Sequence, residues 1–112
     1  MIQQSHTAVV ARNERWSGPV ETEPYEAAWA SEAIWFLRVL EPPVGPPGGT
    51  LRVQVSPDGL HWCDEGSTLE VPSDPTVPTF VRVRRFGGWL RLAGSLPDGA
   101  QATVIAYLVL KS

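Results

Sequence analysis

The stretch TLRVQVSPDGLHW, residues 50–62, constrains the fold of this chain more than any other. Leu51, Val53 and Val55 alternate with Arg52 and Gln54, the period-two pattern of a strand with one buried face. Pro57 presets φ for the first central position of a type I turn and Asp58 suits the second. Gly59 then tolerates the left-handed conformation of a bulged hairpin. Leu60 and Trp62 are expected to open the returning strand. A chain with such a hairpin at its centre is built around antiparallel sheet.

Eleven prolines and ten glycines among 112 residues reinforce that expectation, because they punctuate the chain into short elements joined by turns. The length supports one hydrophobic core, so residues 1–112 are expected to form a single domain. A 43% hydrophobic content and a net charge of -3 fit a globular protein and oppose both disorder and a basic nucleic-acid binder. Cys63 is the only cysteine, which excludes an intrachain disulfide and favours folding in the cytoplasm. Residues 1–10 show neither a basic start nor a long apolar run, so no signal peptide and no membrane span are expected.

Further strands follow from the same alternation. Residues 5–11, SHTAVVA, read as a first strand within a less regular segment, residues 1–30. Around Tyr25 the helix formers Glu26, Ala27 and Ala28 compete with Pro24 and short length, which favour a brief turn or an edge strand. Residues 31–40, SEAIWFLRVL, read as a central strand: Ile34, Phe36 and Leu40 share a face with Arg38, and Trp35, Leu37 and Val39 line the other. One apolar face belongs to the core, and the other needs a cover, either a loop or a second subunit. Residues 42–49, PPVGPPGG, form a stiff and then flexible loop, a simpler reading than a Pro-rich ligand for an aromatic groove.

A short strand is expected over residues 68–71, followed by a segment with proline at every third position, 72, 75 and 78. Over residues 79–85, Val81 and Val83 face in while Arg82 and Arg84 face out. Gly87-Gly88 makes a tight connection into WLRLAG, where Leu90 and Leu92 oppose Trp89 and Arg91. Pro97, Asp98 and Gly99 repeat the first turn and launch residues 101–111. There Val104, Ala106, Leu108 and Leu110 oppose Ile105, Tyr107 and Val109, which puts this strand at a sheet centre or an interface. The sum is an all-β chain: a single-domain β-sandwich, jelly-roll-like, with about seven to eight antiparallel strands.

Chemistry-bearing residues are sparse. Asp58, His61, Cys63, Asp64 and Glu65 include the common zinc-ligand types, but no paired spacing accompanies them, so no metal, cofactor or catalytic residue is expected. A Cys63 nucleophile lacks an organising partner. Arg82, Arg84 and Arg91 interleave with Phe80, Phe86 and Trp89 as an aromatic-basic strip. It can stack bases, although the negative overall charge favours protein contact. Five tryptophans suit either a sugar platform or burial between subunits, and the doubly apolar strands favour burial. The expected interface residues are therefore Trp35, Phe36, Arg82, Arg84, Trp89, Arg91 and Tyr107. Glutamates crowd the first half and arginines the second, which suits either two solvated faces or the docking of one copy's acidic face on another's basic face.

The order IWFLRVLE, TLRVQVSPDGLHW, FGGWLRL, a Pro-Asp-Gly turn and AYLVLK, over residues 34–111, resembles small β-sandwich virion structural and head-decoration proteins of tailed phages and prophages. The resemblance rests on strands and turns. It implies a non-enzymatic component that oligomerises and cements neighbours, with further copies and a larger protein shell as partners and a virion as its final location. The element S-x-D-G-x-x-W, Ser56 to Trp62, is also similar to one in discoidin-like carbohydrate-binding modules, which implies a glycan partner as the second reading. Those modules are longer, and their binding loops have no counterpart in this sequence.

Overall fold

The two segments that are apolar on both faces occupy the middle of a sheet, each flanked by a strand on either side. A computed structural model describes residues 4–112. Its strands are β1 (Ser5–Trp16), β2 (Pro19–Glu21), β3 (Tyr25–Glu26), β4 (Glu32–Val39), β5 (Thr50–Ser56), β6 (Cys63–Glu70), β7 (Thr79–Arg84), β8 (Trp89–Ser95) and β9 (Ala102–Lys111). One sheet runs β1-β9-β4-β7, and the second runs β2-β8-β5-β6 with β3 also paired to β8. All pairings are antiparallel. With β2 and β3 taken as one interrupted edge, β1 pairs with β9, β2–β3 with β8, β4 with β7, and β5 with β6. Early strands thus pair with late ones, and the chain forms two antiparallel sheets of an all-β domain, as the turn spacing leads one to expect. No helix is present among the described residues.

The core lies between the sheets. From the first come Trp35, Leu37 and Val39 of β4 with Val104, Leu108 and Leu110 of β9. From the second come Leu51 and Val53 of β5, Leu69 of β6, and Leu90 and Leu92 of β8. Each buried Leu or Val contributes about 1.5–3 kcal/mol relative to exposure, so this filling dominates stability.

Three expectations change. The first strand runs on to Trp16 instead of ending at Ala11, and β1 is the longest strand, with 12 residues. Its pairing with β9 slips between Val9 and Ala11 and again between Arg12 and Glu14, with Asn13 at φ 52°. Each bulge shifts the inward-outward alternation by one residue, so a period-two reading stops at Ala11.

The returning strand begins at Cys63 rather than Leu60, and it runs to Glu70 rather than covering residues 68–71. Ser56 Oγ accepts the Asp58 and Gly59 amides at 3.2 and 2.8 Å, and Asp58 Oδ1 accepts those of Leu60 and His61 at 2.8 and 2.9 Å. These amides serve the loop instead of a ladder, and Leu60 stands 77% exposed at its tip. Gly59 takes the expected left-handed φ of 77°. The second Pro-Asp-Gly is a true tight turn, with the Ala100 amide donating to the Pro97 carbonyl at 3.0 Å.

Asp58 also meets His61 Nδ1 at 2.7 Å. The hydrogen bonds from His61 and Leu60 hold its carboxyl well below the ordinary 3.8. Asp64 and Asp74 are lowered as well, chiefly by the Gln54 side chain and the Thr76 amide respectively. The unfolded chain therefore binds more protons in acid. The stabilisation is complete above the unfolded value near 4 and is lost as pH falls through the folded values. Asp58→Asn keeps the oxygen acceptor and removes the charge. The expected result, from urea midpoints between about pH 6 and pH 3, is a shallower acid decline in the variant. Identical declines would show that Asp58 does not carry it.

Candidate functional site

Cross-strand register assembles one apolar row across the outer face of the first sheet. Phe36 of β4 stands between Tyr107 of β9 and Phe80 of β7, and Tyr107 in turn stands opposite Val9 of β1. The neighbouring row is Thr7, Val109, Ile34 and Arg82, and beyond Phe36 on the other side Arg38 faces Ile105. The Phe36 and Phe80 rings lie 6.0 Å apart and are tilted by 36°. Such a pair contributes about 0.5–1.5 kcal/mol beyond its buried area.

Arginines frame the row. The Arg82 guanidinium lies over the Phe80 ring at 5.1 Å, Arg38 Nη1 donates to Tyr107 Oη at 3.2 Å, and Arg84 approaches Glu32 only at 3.8 Å. Phe80 is 51% exposed, and Ile34, Phe36, Ile105, Tyr107 and Val109 are half-buried. A continuous apolar stripe with a cationic rim is left open on the monomer, the surface composition of a protein contact.

The outer face of the second sheet is satisfied internally. Arg91 Nε donates to Gln54 Oε1 at 2.7 Å, Gln54 Nε2 donates to Asp64 Oδ1 at 2.9 Å, and Arg52 reaches the same oxygen at 3.3 Å. Arg91 also meets Glu21 at 3.4 Å and lies 4.3 Å from the centre of the Trp62 ring. Its Nε and Nη1 thus tie β8 to β5 and to β2.

Of the residues expected at an interface, Phe36, Arg82, Arg84 and Tyr107 share the first sheet's outer face. Trp35 does not, because it is wholly buried. Adjacent strand residues point to opposite faces, so Trp35 and Phe36 cannot both meet a partner. Trp89 and Arg91 belong to the second sheet, where the Trp89 ring packs over Gly59. The aromatic-basic strip is thus split, since Gly87-Gly88 carries the chain from one sheet to the other. Ile34, Arg38, Phe80 and Val109 join the site. Alternation placed them on strand faces, but only register brings them beside Phe36.

The remaining candidates lie elsewhere. Pro57, Asp58 and Gly59 shape the β5–β6 loop, and Pro97, Asp98 and Gly99 the β8–β9 turn at the opposite end of the sandwich. Among the described residues, no three His, Cys, Asp or Glu side chains group to hold a metal. A hollow of about 130 Å³ beside Pro42, Pro46, Pro47, Pro72 and Leu96 has no titratable side chain in its lining. Among the described residues, no helix is long and apolar enough to cross a membrane.

No protein-family model matches the chain, and no curated protein matches it. Solved structures do share its fold. The SPBc2 prophage-derived protein YomS superposes with a TM-score of 0.64 at 8% identity, covering 100% of this chain and 96% of that one. The PBSX exported protein XepA superposes with a TM-score of 0.59 at 14% identity, covering 97% of this chain and 36% of that one. This chain therefore spans about a third of XepA's length. At such identities the likeness establishes a common two-sheet architecture.

Proposed function

We propose that the protein is a non-enzymatic structural component that self-associates and decorates or cements a larger, virion-type protein shell. The observation that carries this reading is the open row Val9, Tyr107, Phe36 and Phe80 with its arginine rim. Its area supports the reading too. Four strands about 4.8 Å apart and about ten residues long present a footprint on the order of 650 Å², near the ~800 Å² per partner of a standard interface. The fold shared with two prophage-encoded proteins supports the setting.

Sedimentation velocity between about 1 and about 100 µM tests it. Association is expected for the wild-type chain. For Phe36→Ser combined with Phe80→Ser, a loss of about 2 kcal/mol at a hot spot corresponds to roughly 30-fold weaker association. A wild-type monomer throughout, or a double variant that associates unchanged, would refute self-association. The glycan reading rests on Trp29, the tryptophan left 42% exposed. Fluorescence quenching by one member of a glycan panel, abolished in Trp29→Ala, would favour that reading instead.

A further inference from the structure

We infer that copies of this chain join head to tail, the basic apolar face of the first sheet of one copy seating on the acidic β2–β3 side of the next. The inference rests on the self-association proposed above and specifies its geometry.

Charge is divided between the two layers. Register places Arg12, Arg15, Arg38, Arg82, Arg84 and Lys111 on the outer side of the first sheet, six of the chain's nine cations. Glu32 meets Arg84 there at 3.8 Å, and Glu41, which accepts from the Thr103 hydroxyl at 3.4 Å, is the other carboxylate on this side. Of the three other cations, Arg52 and Arg91 are tied to Asp64 and Glu21. Ten of the twelve acidic residues lie off that face.

The acidic complement is clearest along the interrupted edge of the second sheet. Residues 16–37 contain no Lys or Arg, and Glu21, Glu23 and Glu26 are all exposed. Glu21 meets Arg91 at 3.4 Å and Glu26 caps the Ala28 amide at 2.8 Å, while Glu23 makes no hydrogen bond or ion pair among the described residues.

A two-fold contact of the first sheet with itself would bring the basic face of one copy against the basic face of the other, and like charges brought together oppose association. Seating the face on the acidic edge removes that repulsion and pairs opposite charges around the apolar row. Because face and edge are different surfaces, the contact is heterologous, and it propagates into a ring or a filament.

Two variants test the geometry. Arg82→Glu with Arg84→Glu disables the face; Glu21→Gln with Glu23→Gln and Glu26→Gln disables the edge. Each alone is expected to self-associate at least about tenfold more weakly than wild type, the effect of about 1.4 kcal/mol. An equimolar mixture retains one intact face and one intact edge, so it is expected to give a two-copy complex and nothing larger. Wild-type association is also expected to weaken as salt rises from about 0.05 to about 0.5 M.

If the wild-type chain associates but the mixture yields no two-copy complex, head-to-tail joining is wrong while self-association stands. A wild-type chain that never associates removes both. Binding of oligo-dT to the wild-type chain, lost in the arginine variant, would reassign the face to single-stranded nucleic acid and overturn the inference.

Discussion

Trp35→Ala is expected to lower the free energy of unfolding by about 3–5 kcal/mol, the range for truncating a buried aromatic. Against the ~5–15 kcal/mol of a typical domain this is a large share. Trp35 stands on the central strand β4, paired with Leu108 of β9 and Val81 of β7, and it is wholly buried. β9 is held on its far side by β1, so the site collapses only in part to fill the void. Trp35→Phe should behave differently. The indole Nε1 is buried without a hydrogen-bond partner among the described residues, and removing an unpaired donor relieves about 1–3 kcal/mol. That relief offsets part of the packing lost with the smaller ring, so this variant is expected within about 1.5 kcal/mol of wild type. Urea unfolding with unchanged m-values checks both. A loss below about 1 kcal/mol for the alanine variant, a value ordinary for point mutants, would contradict the central packing of Trp35.

Adjacent glycines provide the second large effect. Gly88 has φ +84°, and a Cβ there would run into the Ser56 carbonyl oxygen at the end of β5 and approach Pro57 Cα to 3.4 Å. Its own carbonyl accepts the Ala27 amide at 2.8 Å, tying the β7–β8 connection to the segment after β3. Gly88→Ala combines left-handed backbone strain with a backbone clash, and about 2–4 kcal/mol is expected. Gly87 has no atom within 4 Å of such a Cβ and no left-handed φ. Gly87→Ala is expected within about 0.5 kcal/mol of wild type. Thermal unfolding separates them by roughly 10 °C or more, since about 4–8 °C accompanies each kcal/mol in a domain of this size. Similar melting temperatures for the two variants would show that the chain does not need its close approach at Gly88.

Much of the fold is legible because strands write a local pattern. The alternation of residues 31–40 and 101–111 separates Trp35 from Phe36 and Leu108 from Tyr107, and both segments prove central in the first sheet. The pattern fails where a bulge intervenes. Residues 12–16 continue β1 to Trp16, but two slips of register scramble their parity. The Asp58 loop conceals its length for a related reason, since side-chain bonds to four amides replace the ladder that Leu60 and Trp62 were expected to begin.

The candidate site is only partly written in the chain. Phe36, Arg82, Arg84 and Tyr107 can each be assigned to an outward or doubly apolar position from spacing alone. Their convergence cannot be read from spacing, and neither can the separation of Arg91 from them.

What the sequence by itself determined is therefore local: the central strand segments and their two faces, the turn-forming Pro57 to Gly59 and Pro97 to Gly99, and the all-β class. Tertiary structure alone decided which apolar face of β4 fills the core, and which sheet receives Arg82 and which Arg91. It also decided that Val9, Tyr107, Phe36 and Phe80 form one row. The physical reason is that alternation is a property of neighbouring residues, whereas register and sheet membership are set by pairing between strands far apart in the chain. A one-residue slip in that pairing would turn every one of these side chains to the opposite face.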